Sequence, residues 1–193
     1  MSPGLRPEVH VPGFKFCVPP PMIPEDAVPS LKTGNRKPET GIRISGSPIH
    51  GFGLFAVRDI AARESLCEYR GELITKAESR RRAESRAPGA PVYTVSLNDE
   101  YDLDGDLPDN PAKYANHGCR ANAALVERDA LLFLVASRDI GAGEEIVFDY
   151  GFGLAESLAH PCRCGAPGCV GRILAEPLRP LLKKHLRRPR RTP

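Results

Sequence analysis

From Gly41 onward the chain breaks into short runs of aliphatic, aromatic and β-branched residues, several alternating with polar ones and each bounded by Gly, Asp or Asn. This texture predicts strands over Ile42 to Ile44, Gly53 to Val57, Ser65 to Tyr69 and Val92 to Leu97, then over Ala123 to Glu127, Leu131 to Ser137 and Ile146 to Tyr150. The expected fold class is therefore mostly β, made of short sheets with few helices. One helix is signalled: Thr75-Lys76-Ala77-Glu78 has capping-box spacing, and an Arg-, Glu- and Ala-rich stretch runs from Ser79 to Ala87 before Pro88. It lacks an apolar stripe and should face solvent. Met1 to Thr40 shows neither period and holds nine of the 20 prolines, so residues 1–40 read as an extended or disordered lead-in.

A second pattern is repetition. Arg58-Asp59-Ile60 with Glu64 recurs as Arg138-Asp139-Ile140 with Glu144, each ahead of a strand that ends in a tyrosine. Two copies are too few for a solenoid. A repeated turn that delivers Tyr69 and Tyr150 to related places is the physical reading; chance reuse of common turn residues is the alternative.

Length and composition, 193 residues with 41% hydrophobic and 26% charged, fit one domain with tails. No apolar run reaches the roughly 18 residues of a membrane span, and the lead-in lacks the apolar centre of a signal peptide. A soluble, cytoplasmic protein with no membrane partner is expected. The net charge of +3 conceals an asymmetry: residues 178–193 carry seven cations and no acid, which leaves −4 on residues 1–177. Such a basic tail is either a solvated end or a contact for nucleic acid through phosphates, while the mildly acidic body suits a basic peptide.

The candidate chemistry lies in the second half. Cys162, Cys164 and Cys169 form C-x-C-x4-C, and a closed tetrahedral zinc site needs a fourth thiolate, for which Cys119 is the obvious donor. Cys67 sits in an apolar run and reads as a core thiol; Cys17 lies in the lead-in. Without an export signal, clustered cysteines point to metal rather than to disulfides. Cys119 closes Asn116-His117-Gly118-Cys119, whose amide and imidazole suit the fixing of a polar cofactor or the bracing of a turn. Gly51-Phe52-Gly53 permits close backbone approach to a ligand but lacks the third glycine and the helix of a dinucleotide fingerprint. Asp102, Asp104 and Asp106 do not match an EF-hand, since the glycine is misplaced and the closing Glu missing.

Taken in order, these motifs resemble the SET-domain protein-lysine methyltransferases with a post-SET zinc segment. The likeness runs from His50-Gly51-Phe52-Gly53-Leu54-Phe55-Ala56 through Glu68-Tyr69-Arg70-Gly71-Glu72 and Tyr101-Asp102-Leu103-Asp104 with Asn110. It continues through Asn116-His117-Gly118-Cys119 with Asn122 and Glu144 to Phe152, and ends in the C-x-C-x4-C segment. The resemblance implies a SET domain over 41–152, a zinc-bound post-SET segment over 158–174 and a basic tail over 178–193, with a pseudoknot joining the Asn-His segment to the strand of the last tyrosine. It implies S-adenosylmethionine (SAM) bound by Gly51, Phe52, Gly53, Tyr93, Asn116, His117 and Tyr150, and zinc held by Cys119, Cys162, Cys164 and Cys169. Tyr150 would be catalytic, Tyr69 a wall of the lysine channel, and Phe148 the occupant of a switch position where phenylalanine leaves room for more than one methyl. The implied activity is methyl transfer to a lysine of a protein substrate, histone or histone-like, which would place its action at chromatin or in a host cell. The alternative is a non-catalytic SET-like module that docks on nucleic acid or an acidic partner through its tail.

The sequence departs from the family in having Gly118 for the usual Ser, Lys113 for the common Arg and Ala121 for the common Pro. It also shows no cysteine-rich module ahead of the SET region, the pattern expected of a stand-alone enzyme.

Overall fold

The computed structural model describes residues 41–87 and 91–186, the last four by backbone alone. The Pro-rich lead-in, Pro88 and tail positions 187–193 lie outside the described residues. The chain order is β1 (Ile42–Gly46), β2 (Phe52–Ala56), β3 (Ser65–Glu68), β4 (Glu72–Thr75), α1 (Lys76–Ser85), β5 (Thr94–Ser96) and β6 (Tyr101–Asp104). A 3-10 turn at Pro111–Tyr114 leads to β7 (Asn116–His117), β8 (Ala123–Arg128), β9 (Leu131–Ala136), β10 (Glu145–Phe148) and α2 (Leu154–Ser157). A second 3-10 turn, Glu176–Leu178, runs into α3 (Arg179–Leu186).

Three small sheets result, ordered β1-β2-β10-β7, β3-β9-β8 and β4-β6-β5. Their inner faces supply the core, where Leu54, Ala56, Leu134 and Ile146 are wholly buried and Leu54 faces Ile146 across β2 and β10. One pairing departs from the antiparallel rule: β10 runs parallel to β7, with Val147 beside Asn116 and Phe148 beside His117. The Asn-His segment and the strand of the last tyrosine are thus neighbours. Asn122, fully buried, extends that contact: its amide donates to the Glu145 carbonyl (2.8 Å) and accepts from the Val147 N–H (2.8 Å).

The repeated turns face each other. Ile60 and Ile140 exchange two main-chain hydrogen bonds of 2.9 Å, and each arginine reaches the glutamate of its own turn. Each aspartate caps the other turn: Asp139 accepts from Ala62 N–H and Asp59 from Ala142 N–H, both at 2.8 Å. Chance similarity would not produce reciprocal bonds. The two turns lead into β3 and β10, and Tyr69 and Tyr150 lie just past the ends of those strands.

Helix α1 starts where expected, with the Thr75 hydroxyl accepting from Glu78 N–H (3.2 Å), and it buries no residue. Only half of the capping box forms, because the Glu78 carboxylate turns to Arg81 and Arg82. Arg82 also reaches Glu72 and the buried Asp104, while Lys76 pairs with the buried Asp102. Acids placed among cations explain why Tyr101-Asp102-Leu103-Asp104 is a strand although its composition suggests a loop.

A solvated end is not what the tail shows at its start. Residues 179–186 form α3, and Arg179 is buried.

Candidate functional site

The site is built where β2, β7 and β10 lie together. Ser47 opens the β1–β2 turn, and its hydroxyl accepts from Ile49 N–H (2.9 Å) and donates to the Glu145 carboxylate (2.7 Å). The same carboxylate accepts from the Asn116 amide at 2.8 Å. That NH2 group also lies 3.0 Å from the Phe52 carbonyl and 3.3 Å from that of His50. Asn116 thus ties the Gly51-Phe52-Gly53 loop to β7, and Gly51 takes φ of +47°, a conformation that suits glycine. Phe52 is 64% exposed, edge-on to Tyr114 at 6.3 Å. Beside them the Lys113 ammonium sits 5.2 Å from the Tyr93 ring centre and 5.5 Å from that of Tyr114, with Asp106 at 3.2 Å. An exposed aromatic ring such as Phe52 suits contact with a flat ligand, while the Lys113 ammonium is largely covered and paired with Asp106.

Behind this face lie the tyrosines. Tyr69 is buried and donates to the Tyr93 carbonyl (2.6 Å); Tyr150 donates to the Ala115 carbonyl (3.1 Å). The Tyr150 ring packs on Phe148 at 4.9 Å, His117 at 5.5 Å and Phe152 at 5.8 Å. Burial, then the neighbouring Tyr150, Asp104 and Tyr93, hold the Tyr69 hydroxyl well above the usual phenol range. Burial and then Tyr93 do the same to Tyr150. Both are neutral donors at ordinary pH, so neither serves as a tyrosinate base.

His117 is buried between Tyr150 and Cys119. Its Nδ1 accepts from Tyr150 N–H (3.3 Å), which places the proton on Nε2, 3.6 Å from the Cys119 sulfur. Burial pulls the imidazole down to about 4, Asp149 opposing and Arg179 adding to the shift. His117 therefore braces the cysteine loop as a neutral donor. Cys119, Cys162, Cys164 and Cys169 bring four sulfurs within 4.8 Å of one another. Thiolate bonds of about 2.3 Å at the tetrahedral angle would set zinc ligands ~3.8 Å apart. Cys119 lies 3.8 Å from Cys162 and 3.6 Å from Cys169, which fits. Burial foremost pushes Cys162 up to about 12 and Cys119 higher still. At Cys164 burial acts the same way but is outweighed by N–H groups of Cys119 and Ala166 and by neighbouring thiols, leaving it at about 7. N–H donors to sulfur, from Cys119 to Cys164 and from Gly171 to Cys169 (3.3 Å), support thiolates.

Gly118 is a matter of space. A Cβ there would stand 2.5 Å from Val147 Cγ2 and 2.9 Å from Val147 Cβ on β10, and the Val147 Cβ, fixed to the backbone, cannot rotate out of the way. Gly118→Ala is expected to destabilise the fold by about 1–3 kcal/mol, and Val147→Ala in the same chain to recover part of it, as read by denaturant unfolding. Additive losses would count against the clash.

The structure joins Asn116 to the Gly51-Phe52-Gly53 loop, Tyr69 to Tyr93, and Tyr150 to Phe148 and His117. Cys119 joins the three later cysteines as expected. Sequence reasoning passed over Ser47, Glu145 and Arg179. Ser47 gave only a Ser-Pro turn as signal, and Arg179 was concealed within a run of basic residues.

Three small sheets around a parallel Asn-His and Phe-Asp-Tyr pair, with a thiol cluster at one end, define the SET architecture. The SET domain family model matches residues 51–151, and the chain belongs to that family. It is similar to the histone-lysine N-methyltransferase trr of Drosophila melanogaster, 35% identical over 134 residues that make up 66% of this chain and 6% of that protein. A histone-lysine N-methyltransferase of Arabidopsis thaliana, ATXR7, is 37% identical over 132 residues, 65% of this chain and 9% of its own. An H3 lysine-4 specific histone-lysine N-methyltransferase of Yarrowia lipolytica is 34% identical over 144 residues, 70% of this chain and 12% of its own. The chain thus spans a small fraction of the length of these relatives.

Proposed function

We propose that this protein is a SAM-dependent protein-lysine N-methyltransferase acting on a histone or histone-like protein. The observation that carries the reading is the convergence of Tyr150, Phe148 and Tyr69 behind the Gly51-Phe52-Gly53 loop that Asn116 holds. Gly51, Phe52, Gly53, Tyr93 and the outer edge of β7 would hold SAM, with Tyr150 at the inner end. When bound, SAM supplies an electrophilic methyl on a sulfonium.

The protein's share of the work is alignment, and positioning alone can contribute roughly 7–11 kcal/mol. Phe148 and Tyr69 wall an apolar channel that disfavours the ammonium form of a lysine whose ordinary pKa is about 10.4, so the amine is presented neutral. The Tyr150 hydroxyl orients the amine, and Tyr69, fixed on the Tyr93 carbonyl, sets the channel width. Phe148 offers no hydroxyl to hold a water against the amine, which supports transfer of more than one methyl. Cys119, Cys162, Cys164 and Cys169 would hold zinc in a structural role.

The relatives' names support a histone substrate, and with it action at chromatin rather than in the cytosol. Among the described residues no helix is long and apolar enough to cross a membrane. Radiolabelled methyl transfer from SAM to histones or lysate proteins tests the activity; measurable SAM binding with no transfer to any protein pool would sink it. The basic tail is proposed to add a nucleic-acid contact. A chain ending at Leu186 loses four arginines and keeps α3, so its duplex DNA affinity should fall and its salt slope flatten. Unchanged binding would remove the tail from that role.

A further inference from the structure

Arg179 counts as the first cation of the tail, yet it is only 8% exposed. Its guanidinium donates to three separate segments: Nε to the Leu174 carbonyl (2.9 Å), Nη1 to the Cys119 carbonyl (2.7 Å) and Nη2 to Asp149 Oδ2 (2.5 Å). Leu174 closes the cysteine-rich segment, Cys119 is one of the four clustered thiols, and Asp149 precedes Tyr150. Asp149 is itself a junction. Its Oδ1 accepts from Gly151 N–H (3.0 Å) and lies 3.7 Å from His117 Nδ1, while Oδ2 accepts from Glu176 N–H (2.9 Å).

Burying a cation merely to dock a helix is an expensive choice, because an apolar anchor would do the same with no charge to desolvate. A planar fork with donors in several directions is suited to fixing several acceptors relative to one another, which a lysine cannot do. We infer that Arg179 is a positioning residue for the methyl-transfer site. It holds the Tyr150 strand end, the Asn116-to-Cys119 loop and the end of the cysteine segment in one register. It touches neither substrate nor cofactor and acts through Asp149 and the Cys119 carbonyl. The inference rests on the methyltransferase reading and assigns to the start of α3 a part in it.

The test compares wild type with Arg179→Met, Arg179→Lys, Asp149→Asn, the Asp149→Asn/Arg179→Met pair and a chain ending at Leu186. Measured are SAM affinity by calorimetry, kcat on histones, zinc content and melting temperature. Arg179→Met is expected to weaken SAM binding and lower kcat by about tenfold or more each, with zinc retained, since it strands a partly buried carboxylate and a carbonyl. Arg179→Lys should recover only part of both. The pair should be no worse than Arg179→Met alone, because the two groups act as a unit. The chain ending at Leu186 should match wild type.

Wild-type affinity and turnover in Arg179→Met, with only the melting temperature lowered, would reduce Arg179 to a helix anchor and overturn the inference. Should Arg179→Met fail to fold, the same result in Arg179→Lys overturns it. A wild type that binds no SAM overturns the methyltransferase reading itself, and this inference with it.

Discussion

Tyr150→Phe is expected to lower kcat on histones by about 10²–10³-fold, the range typical for loss of one well-placed donor at a reacting centre. SAM affinity should stay within about threefold of wild type, since the group acts chiefly when amine and methyl are aligned. The ring contacts with Phe148, His117 and Phe152 survive the change, so packing is kept. What disappears is one neutral O–H, now 3.1 Å from the Ala115 carbonyl, whose net contribution to stability is about 1 kcal/mol. A tyrosinate role would predict a kcat that climbs steeply at high pH as the phenol ionises. Burial, however, holds Tyr150 well above the phenol range, so its profile should show no such limb. The comparison with Tyr69→Phe sharpens the assignment: that hydroxyl spends its proton on the Tyr93 carbonyl and should shape the channel with a smaller effect on kcat. Equal losses in the two variants, or a tenfold loss of SAM binding in Tyr150→Phe, would contradict the division of roles.

Much of this arrangement could be read from residues alone, and the exceptions have physical causes. Each of the seven strand runs holds a strand, and the cysteine spacing marked the thiol cluster. Three strands, β4, β6 and β7, lay outside those runs. In β6 Leu103 is buried between two buried aspartates, Asp102 and Asp104, whose charges are met by Lys76 and Arg82 from α1, a pairing distant in sequence. The two residues of β7 are too few for any period, and their strand character comes from parallel pairing with β10. β4 follows Gly71 as a short edge whose partner is β6. The site residues show the same division. Asn116 and Tyr150 stand in recognisable motifs, whereas Ser47 and Glu145 matter because 98 residues of chain bring a hydroxyl onto a carboxylate. Arg179 shows where charge counting fails, since a run of like charges has a solvated reading that one member can evade by finding three acceptors.

Cys164→Ser is expected to abolish zinc binding, to loosen Pro161 to Ile173 and to weaken SAM binding by about tenfold or more, because in such small sites the metal's binding energy is folding energy. Short of the metal, that segment is held by little: a bridge between Pro161 and Arg172, made of bonds from Cys162 N–H to the Gly171 carbonyl (3.1 Å) and from Ile173 N–H to the His160 carbonyl (3.0 Å), and the Arg172 guanidinium on the Leu158 carbonyl. From Leu174 on the situation changes. Leu174 is wholly buried, a contribution of about 1.5–3 kcal/mol. The Ala175 N–H bonds the Phe152 carbonyl at 2.9 Å, and the Arg179 guanidinium holds the Leu174 carbonyl. Metal loss should therefore loosen the segment and spare its end: hydrogen exchange would rise over 161–173 and stay low at 174–179. The effect on SAM comes through Cys119, whose sulfur receives the His117 Nε2–H and whose loop carries Asn116. Freed from zinc, that loop loses its hold at the cysteine sulfur and keeps the Arg179 bond to the Cys119 carbonyl, besides the Gly118 N–H bond to the Phe148 carbonyl (3.1 Å). Cys164→Ser and Arg179→Met together should accordingly weaken SAM binding by more than the product of the single effects. Wild-type zinc content in Cys164→Ser, or exchange that rises through residue 179, would contradict this picture of separate anchors.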